Sequence, residues 1–469
     1  MSEQEKNISH ITLETSSFRD PSGFVFSHDN ILYRAVAPSY FETFSALTKS
    51  GLYKSLSSKN ILINHDECLN FLPSEYSSYK IIKPEKISFI SYPYEWCFGQ
   101  LKSAALLTLS IMHESLEYGM ILKDASAYNI QFIGNKPIFI DTLSFEKYEE
   151  GTPWIAYRQF CQHFLSPLAL MCYKNLSLSK LLQIHIDGIP LALTSSLLPG
   201  KTIFNSGIAL HIHFHAKIQN AYQKKKSNGK GKKFHLSKKK LFAMLEHLKE
   251  TISDLKLPKD NSIWKNYHSE NLYSQSATKE KSKIISQWLN DIKAKTIWDI
   301  GCNTGEYSIL ASKFCEYLLA LDSDEICIER LYHQLNKDEI KNILPLVIDI
   351  TNPTPPIGWA NEERKTLIQR GKPDLIMALA LIHHLRITHN IPLQKIAHLF
   401  YEWAEWLIVE FIPKEDTQVQ EMLMNRKDIF TDYKFDFFLS IFSKWFDIIE
   451  QNKLPDSERI LCLMKRKFL

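Results

Sequence analysis

Three residues in the stretch Ile121 to Glu146 have the types and order to handle a polyphosphate: Asp124, Asn129 and Asp141. One carboxylate can orient an acceptor hydroxyl and take its proton, while the amide and the second carboxylate hold divalent cations. A second set lies far along the chain. The run Trp298-Asp299-Ile300-Gly301-Cys302-Asn303-Thr304-Gly305 reads as the end of a buried strand opening into a helix. Glycines there let the backbone turn tightly and approach a ligand closely. Asp322 ends the next apolar run, where a carboxylate can accept both hydroxyls of a ribose, and Asp349 ends the run after that. No phosphate-gripping lysine follows the glycines, which excludes a P-loop.

The elements that must position the second set alternate regularly. From Lys295 onward the apolar runs TIWDI, YLLALD, ILPLVIDI, PDLIMALAL and WLIVEFI are separated by helical patterns, as in a parallel doubly wound α/β sheet. A glycine turn followed by two acidic strand ends resembles class I S-adenosylmethionine-dependent methyltransferases, over roughly Lys295 to Lys414. The resemblance implies that Asp299, Gly301 and Gly305, with Cys302 and Asn303 in the turn, surround the methionine part and ribose of the cofactor. It implies Asp322 on the ribose and Asp349 at the adenine end. Asn303 stands where the family has its middle glycine, and Asn tolerates the left-handed backbone region. A nicotinamide dehydrogenase is the rival reading, because DxGxNxG is a cousin of GxGxxG. The acid before the first glycine, and His383-His384 after the fourth strand, favour the methyltransferase. His383, His384 and Glu410 are candidates for removing a proton from the methyl acceptor, against the alternative of a buried histidine bonded to backbone. Methyl transfer needs mainly in-line positioning, so no acid–base residue is obligatory. The insert Thr351 to Gly371 either contributes Trp359 and Asn361 to a substrate or adenine pocket or is a loop.

For the first set, GFVFSHDNILYRAV reads as a hairpin, SYFETFSALTKSGLYKSL as helix, and QLKSAALLTLSIMHESLEYGM as a long helix ended by Gly119. SFISYPYEW (Ser88 to Trp96) reads as a strand and hinge. With Asp124, Asn129 and Asp141 this resembles kinase-like folds of the aminoglycoside-phosphotransferase type, over about residues 20–220. The resemblance implies Asp124 as the base, Asn129 and Asp141 on magnesium, and Arg34 or Lys83 on the phosphates of ATP. Several parts depart from the pattern: only Gly23 stands near the first hairpin, Leu122 replaces the usual His, and Asp141 is followed by Thr142 and Leu143. A degenerate domain that binds nucleotide or positions substrate is therefore expected rather than active phosphoryl transfer, with turn-capping Asp and Asn side chains as the plain alternative.

The expected fold is α/β: a C-terminal Rossmann-like methyltransferase sheet plus an N-terminal α+β kinase-like domain. The expected division is a flexible N-terminus (1–19), the kinase-like domain (20–220), a basic linker with a connecting helix (221–262) and the methyltransferase domain (263–469). Taken whole, DPSGFVF, FISYPYEWCFGQLK, LKDASAYNIQF, IDTLSFE, AYRQFCQHFLSPLAL, HIDGIPL, WDIGCNTG, ALALIHHL and EFIPKED resemble a bacterial family of class I methyltransferases related to the nodulation protein NoeA.

Composition sets the remaining expectations. A net charge of +4 implies neither nucleic acid nor membrane by itself. Nine lysines from Lys224 to Lys240 either grip RNA phosphates or form a solvated linker, and the absence of interleaved aromatics favours the linker. A small-molecule or carbohydrate acceptor is therefore expected over nucleic acid. His211, His213 and His215 alternate as on one face of a metal-binding strand, but no carboxylate or cysteine lies nearby in sequence, which favours a core or surface strand or helix. Scattered cysteines without a CxxC pair, the lack of a signal-like start and the lack of a bilayer-length apolar run point to the cytoplasm and to no membrane span.

Overall fold

The computed structural model describes residues 11–73, 76–218, 235–257, 274–424 and 427–468. The chain divides into two compact units: Met1–Pro258 with Pro356–Arg364, and Lys259–Pro355 with Lys365–Leu469.

Unit 1 begins with an antiparallel sheet of β1 (Ile11–Leu13), β2 (Gly23–His28), β3 (Ile31–Val36), β4 (His65–Cys68) and β5 (Lys80–Pro84), in the order β1-β2-β3-β5-β4. The β2–β3 hairpin turns through Asp29 and Asn30, both at positive φ (50° and 62°), as a two-residue turn of matching twist requires. Gly23 is fixed by close approach, because a Cβ there would lie 2.1 Å from the Ala35 carbonyl oxygen. Helices Phe41–Lys49 and Leu52–Ser58 follow β3. The helix Phe98–Glu117 buries Leu101, Ala105, Thr108 and Met112 at helical spacing and ends before Gly119 at φ 72°. Then come β6 (Met120–Leu122), the hairpin β7 (Ile130–Ile133) and β8 (Lys136–Phe139), and β9 (Phe145–Lys147), which pairs with β6.

Three expectations for this half are corrected and one alternative is decided. Ser88 to Trp96 is not a strand but an irregular segment with one turn at Pro93–Glu95. The Gln131 side chain takes the place of a strand partner, accepting from Ser91 N at 2.9 Å and donating to Ser91 O at 3.0 Å. His211 and His213 lie in a wide helical turn, Ala209–Phe214, and His215 directly follows it, the helix of the alternatives left open. They bond to Tyr157, His247, Ser195 and Thr202 or stack on Tyr157, and no metal-holding group of His, Cys, Asp or Glu occurs among the described residues. The helix Lys238–Asp254, expected as a connector, buries Leu241, Leu245, Leu248 and Ile252 and packs on Phe98–Glu117; Lys102 Nζ donates to the Ser253 and Leu255 carbonyls. Finally, Pro356–Arg364 groups with unit 1 although it lies between two strands of unit 2. The buried Glu363 is held there by Arg19 at 2.6 Å. Trp359 is 73% exposed, and neither it nor Asn361 belongs to the pocket described below. The stretch 219–234, with Lys224 to Lys233, lies outside the described residues.

Unit 2 is built on a seven-stranded sheet: β10 (Thr296–Ile300), β11 (Tyr317–Asp322), β12 (Ile343–Val347), β13 (Leu375–Ala378), β14 (Trp406–Phe411), β15 (Phe446–Lys453) and β16 (Ile460–Arg466), in the order β12-β11-β10-β13-β14-β16-β15. β10 to β14 are parallel and almost wholly buried, with β16 antiparallel between β14 and β15. Apolar runs without polar alternation suit strands covered on both faces. The final antiparallel pair was not among the strands expected from the sequence. The order reverses beside β10, with β11 on one side and β13 on the other, and a reversal of this kind opens a crevice at the carboxyl ends of the strands. No described helix is long and apolar enough to cross a membrane.

Candidate cofactor pocket and a second carboxylate cluster

The crevice of unit 2 holds a cavity of about 250 Å³. β10 feeds it through a turn in which Gly301, Asn303 and Gly305 all have positive φ (78°, 51° and 82°). Any side chain at Gly305 would be strained at φ 82° and would displace Leu331, whose Cδ1 would lie 2.4 Å from the added Cβ. Asn303 adopts the left-handed conformation that its type allows. Its backbone N–H donates to Asp322 Oδ2 at 2.7 Å, while the Asp324 N–H donates to Asp322 Oδ1 at 2.9 Å. One carboxylate thereby ties the glycine turn to the end of β11 and still keeps lone pairs for a ligand.

Asp299 is buried and accepts from Ser308 Oγ at 2.6 Å. Burial, reinforced by the nearby Asp322, pushes its carboxyl up to about 7. Burial also raises Asp322. Asp349 lies just beyond β12, exposed, accepting from the Thr351 N–H and hydroxyl at 2.8 and 2.7 Å. All seven cofactor residues expected from the sequence (Asp299, Gly301, Cys302, Asn303, Asp322 and Asp349 in the wall, Gly305 closing the turn) are thus brought together. Ala380, also in the wall, sits at φ 49°, a costly conformation for a residue with a Cβ.

The three residues expected at the methyl acceptor separate. His384 lines the cavity, and burial pushes its imidazole down to about 4, so it is neutral at pH 7. His383 turns away into the core, fully buried, with neither ring nitrogen hydrogen-bonded and its pKa driven well below the usual range by burial. Both follow the strand rather than end it, since β13 stops at Ala378. Glu410 on β14 is buried and bonded to Lys281 Nζ at 2.8 Å, so it is committed to an ion pair and does not line the cavity.

Lys281 is the functional candidate that sequence reasoning missed. It is buried, lines the cavity and places its ammonium 4.4 Å from the centroid of the Tyr307 ring, another wall residue. The available signal was a lysine on the apolar face of Gln275–Ile292, in line with Ala277, Ile284, Ile285 and Trp288.

In unit 1, Asp124, Asn129 and Asp141 also converge. Ser144 Oγ donates to Asp141 Oδ2 at 2.6 Å and accepts from Asn129 Nδ2 at 3.1 Å. Asp124 accepts from Gln159 Nε2 and the Ser126 N–H, both at 2.9 Å; burial, with Asp141 adding to it, raises its pKa. Arg34 reaches this cluster, with Nη1 2.5 Å from Asp141 and Nη2 2.9 Å from Asp20. Lys83 instead lies beside a different groove, with Asn64, Asp66 and Glu85.

The strand order and the glycine turn with its acidic strand ends define unit 2 as a doubly wound, Rossmann-like α/β fold. No family model matches the chain. It is 33% identical over 456 residues to the nodulation protein NoeA of Rhizobium meliloti (strain 1021), covering 96% of this chain and 95% of that protein. The chain belongs to the NoeA family. Among solved structures, it is similar to the N-methyltransferase NodS of Bradyrhizobium japonicum WM9 (12% identity, 41% of this chain and 98% of that one, TM-score 0.30). It is also similar to the magnesium protoporphyrin IX methyltransferase of Synechocystis PCC 6803 with bound S-adenosylmethionine (15% identity, 45% and 87%, TM-score 0.30).

Proposed function

We propose that unit 2 binds S-adenosylmethionine and transfers its methyl group to a small-molecule or carbohydrate acceptor. The observation that carries this is the meeting of Asp299, Asp322 and Asp349 with the left-handed Gly301–Asn303–Gly305 turn on one cavity at the reversal of strand order. The residues present fit the cofactor: two carboxylates with spare lone pairs suit ribose hydroxyls and an amino group, and the glycine turn brings backbone to the ligand. When bound, the cofactor supplies an electrophilic methyl on a sulfonium. Asp322 and the turn hold one end of the site, and His384 presents a neutral imidazole that can take the acceptor's proton. His383 and Glu410 serve instead as packing and as the partner of Lys281. Eight free cysteines support a reducing compartment, the cytoplasm.

Isothermal titration with S-adenosylmethionine tests the cofactor: heat and a thermal shift are expected, and their absence at saturating ligand would overturn the reading. Binding without methyl transfer to any component of a metabolite extract would leave a cofactor-binding protein instead of an enzyme. His384→Ala should lower kcat and remove an acid limb from its pH profile while leaving cofactor affinity unchanged.

A second reading concerns unit 1. The succession of antiparallel sheet, long helix, Asp124–Asn129 loop, hairpin and Asp141 supports a kinase-like skeleton. Its cation-binding carboxylate is already bonded to Arg34, which supports a binding or positioning role over phosphoryl transfer. If ATP with magnesium binds there, the wild type should melt higher with it and Asp141→Asn should not. A nucleic-acid acceptor would rest on the lysines from Lys224 onward, and deleting 224–233 should then abolish salt-sensitive RNA binding.

A further inference from the structure

Helical segment 206–218 of unit 1 shows two unlike faces. His211, Ile212, His213 and Ala216 are buried, while Leu210, Phe214 and Ile218, spaced by four, are 50%, 50% and 55% exposed. The turn Gly200–Phe204 packs against this segment and ends in Phe204, which is 90% exposed. Large apolar side chains aligned in water on a helix face mark an interaction surface rather than scattered exposure.

Charge says what that surface meets. From Gly188 to Leu245 the sequence contains no Asp, no Glu and no Arg, but eleven lysines. Two of them, Lys201 and Lys217, are exposed within the described segment, and Lys217 Nζ lies 5.8 Å from the Phe214 ring centroid. An apolar stripe flanked by exposed lysines on its own segment and on the adjoining turn is complementary to an anionic apolar interface. Nucleic acid would be read by a ladder of aromatic rings and by forked arginine contacts, whereas in this stripe aliphatic Leu210 and Ile218 flank the one ring of Phe214 and the cations are lysines. We propose that the Leu210–Phe214–Ile218 face, flanked by Lys201 and Lys217, docks unit 1 onto an anionic lipid surface, lying on the membrane rather than crossing it.

Co-sedimentation of the full chain with vesicles of phosphatidylglycerol and phosphatidylcholine tests this. Pelleting is expected with mixed vesicles, at least tenfold weaker with pure phosphatidylcholine, and weaker again as salt rises. The triple variant Leu210→Ser, Phe214→Ser, Ile218→Ser should lose at least tenfold in vesicle affinity with an unchanged circular dichroism spectrum, since the replaced side chains project into solvent. The double variant Lys201→Glu, Lys217→Glu should lose the preference for phosphatidylglycerol. The proposal is overturned if the wild type stays in the supernatant, or if the triple variant pellets like the wild type. It is equally overturned if the triple variant merely converts a dimer into a monomer, or if a single-stranded RNA oligonucleotide binds this face and the vesicles do not.

Discussion

In unit 2, Asp299, Asp322 and Asp349 border a cavity and are bonded by a serine hydroxyl, backbone amides and a threonine. In unit 1, Asp141 and Asp20 are both bonded by one guanidinium, and Asp124 is occupied by Gln159. Both clusters gather acids that lie at or near the ends of short strands. They differ in what answers the charge. A carboxylate held by neutral donors keeps lone pairs for a ligand, whereas one paired with an arginine already has its charge answered. The same contrast separates the cations: Lys281 sits in the wall of a cavity, while Arg34 pairs with Asp141 and Asp20.

The largest expected effect tests the deepest ion pair. Lys281→Met removes the ammonium that answers the buried charge of Glu410, which should cost about 3–5 kcal/mol in urea unfolding. A cost under about 1 kcal/mol would show that water reaches Glu410 and that the two clusters are less distinct than they look. Next, Asp322→Asn keeps the shape of the turn's anchor but loses one acceptor and the charge. S-adenosylmethionine affinity should fall about 100-fold, equivalent to about 2.7 kcal/mol, and titration calorimetry reads it.

Acidification comes third. Buried His163, pushed down to about 3 by desolvation, and His384, pushed down to about 4, are neutral in the fold while their unfolded forms protonate near 6.5. Below that pH the unfolded chain binds more protons, so stability falls as pH drops, by about 2 kcal/mol per histidine at pH 5. Asp299 acts in the opposite sense: its folded pKa of about 7 lies above the unfolded 3.8, so its contribution is present at low pH and lost as pH rises through 7. Two histidines with His383 outweigh one acid, and the urea midpoint should be lower at pH 5 than at pH 7.5. The smallest effect is Arg34→Gln, which should cost about 1–2 kcal/mol, because Asp141 keeps the Leu143 N–H and Ser144 hydroxyl. It frees the carboxylates, so magnesium ATP should raise the melting temperature of the variant more than that of the wild type; equal shifts would remove Arg34 from its blocking role.

Legibility followed locality. The glycine turn, Asn303 in the left-handed region, Asp322 at a strand end and the hairpin at Asp29-Asn30 were readable because each depends on backbone geometry within a few residues. Ser88 to Trp96 misled because its β-rich residues say nothing of Gln131, whose side chain satisfies the backbone that a strand would have needed. The insert around Trp359 misled because a segment between two strands need not pack beside them.

Residue type, period and turn chemistry by themselves determined the parallel strands of unit 2, the long helix of unit 1 and the positions of all the candidate acids. Only the tertiary structure decided which acids stay available. Glu410 meets Lys281 across 129 residues, Asp141 beyond β8 meets Arg34 of β3, and of two adjacent histidines one lines a cavity and the other is sealed in the core. The physical reason is that a side chain's charge state and reach depend on burial and on partners brought from afar, and neither is encoded in the neighbours along the chain.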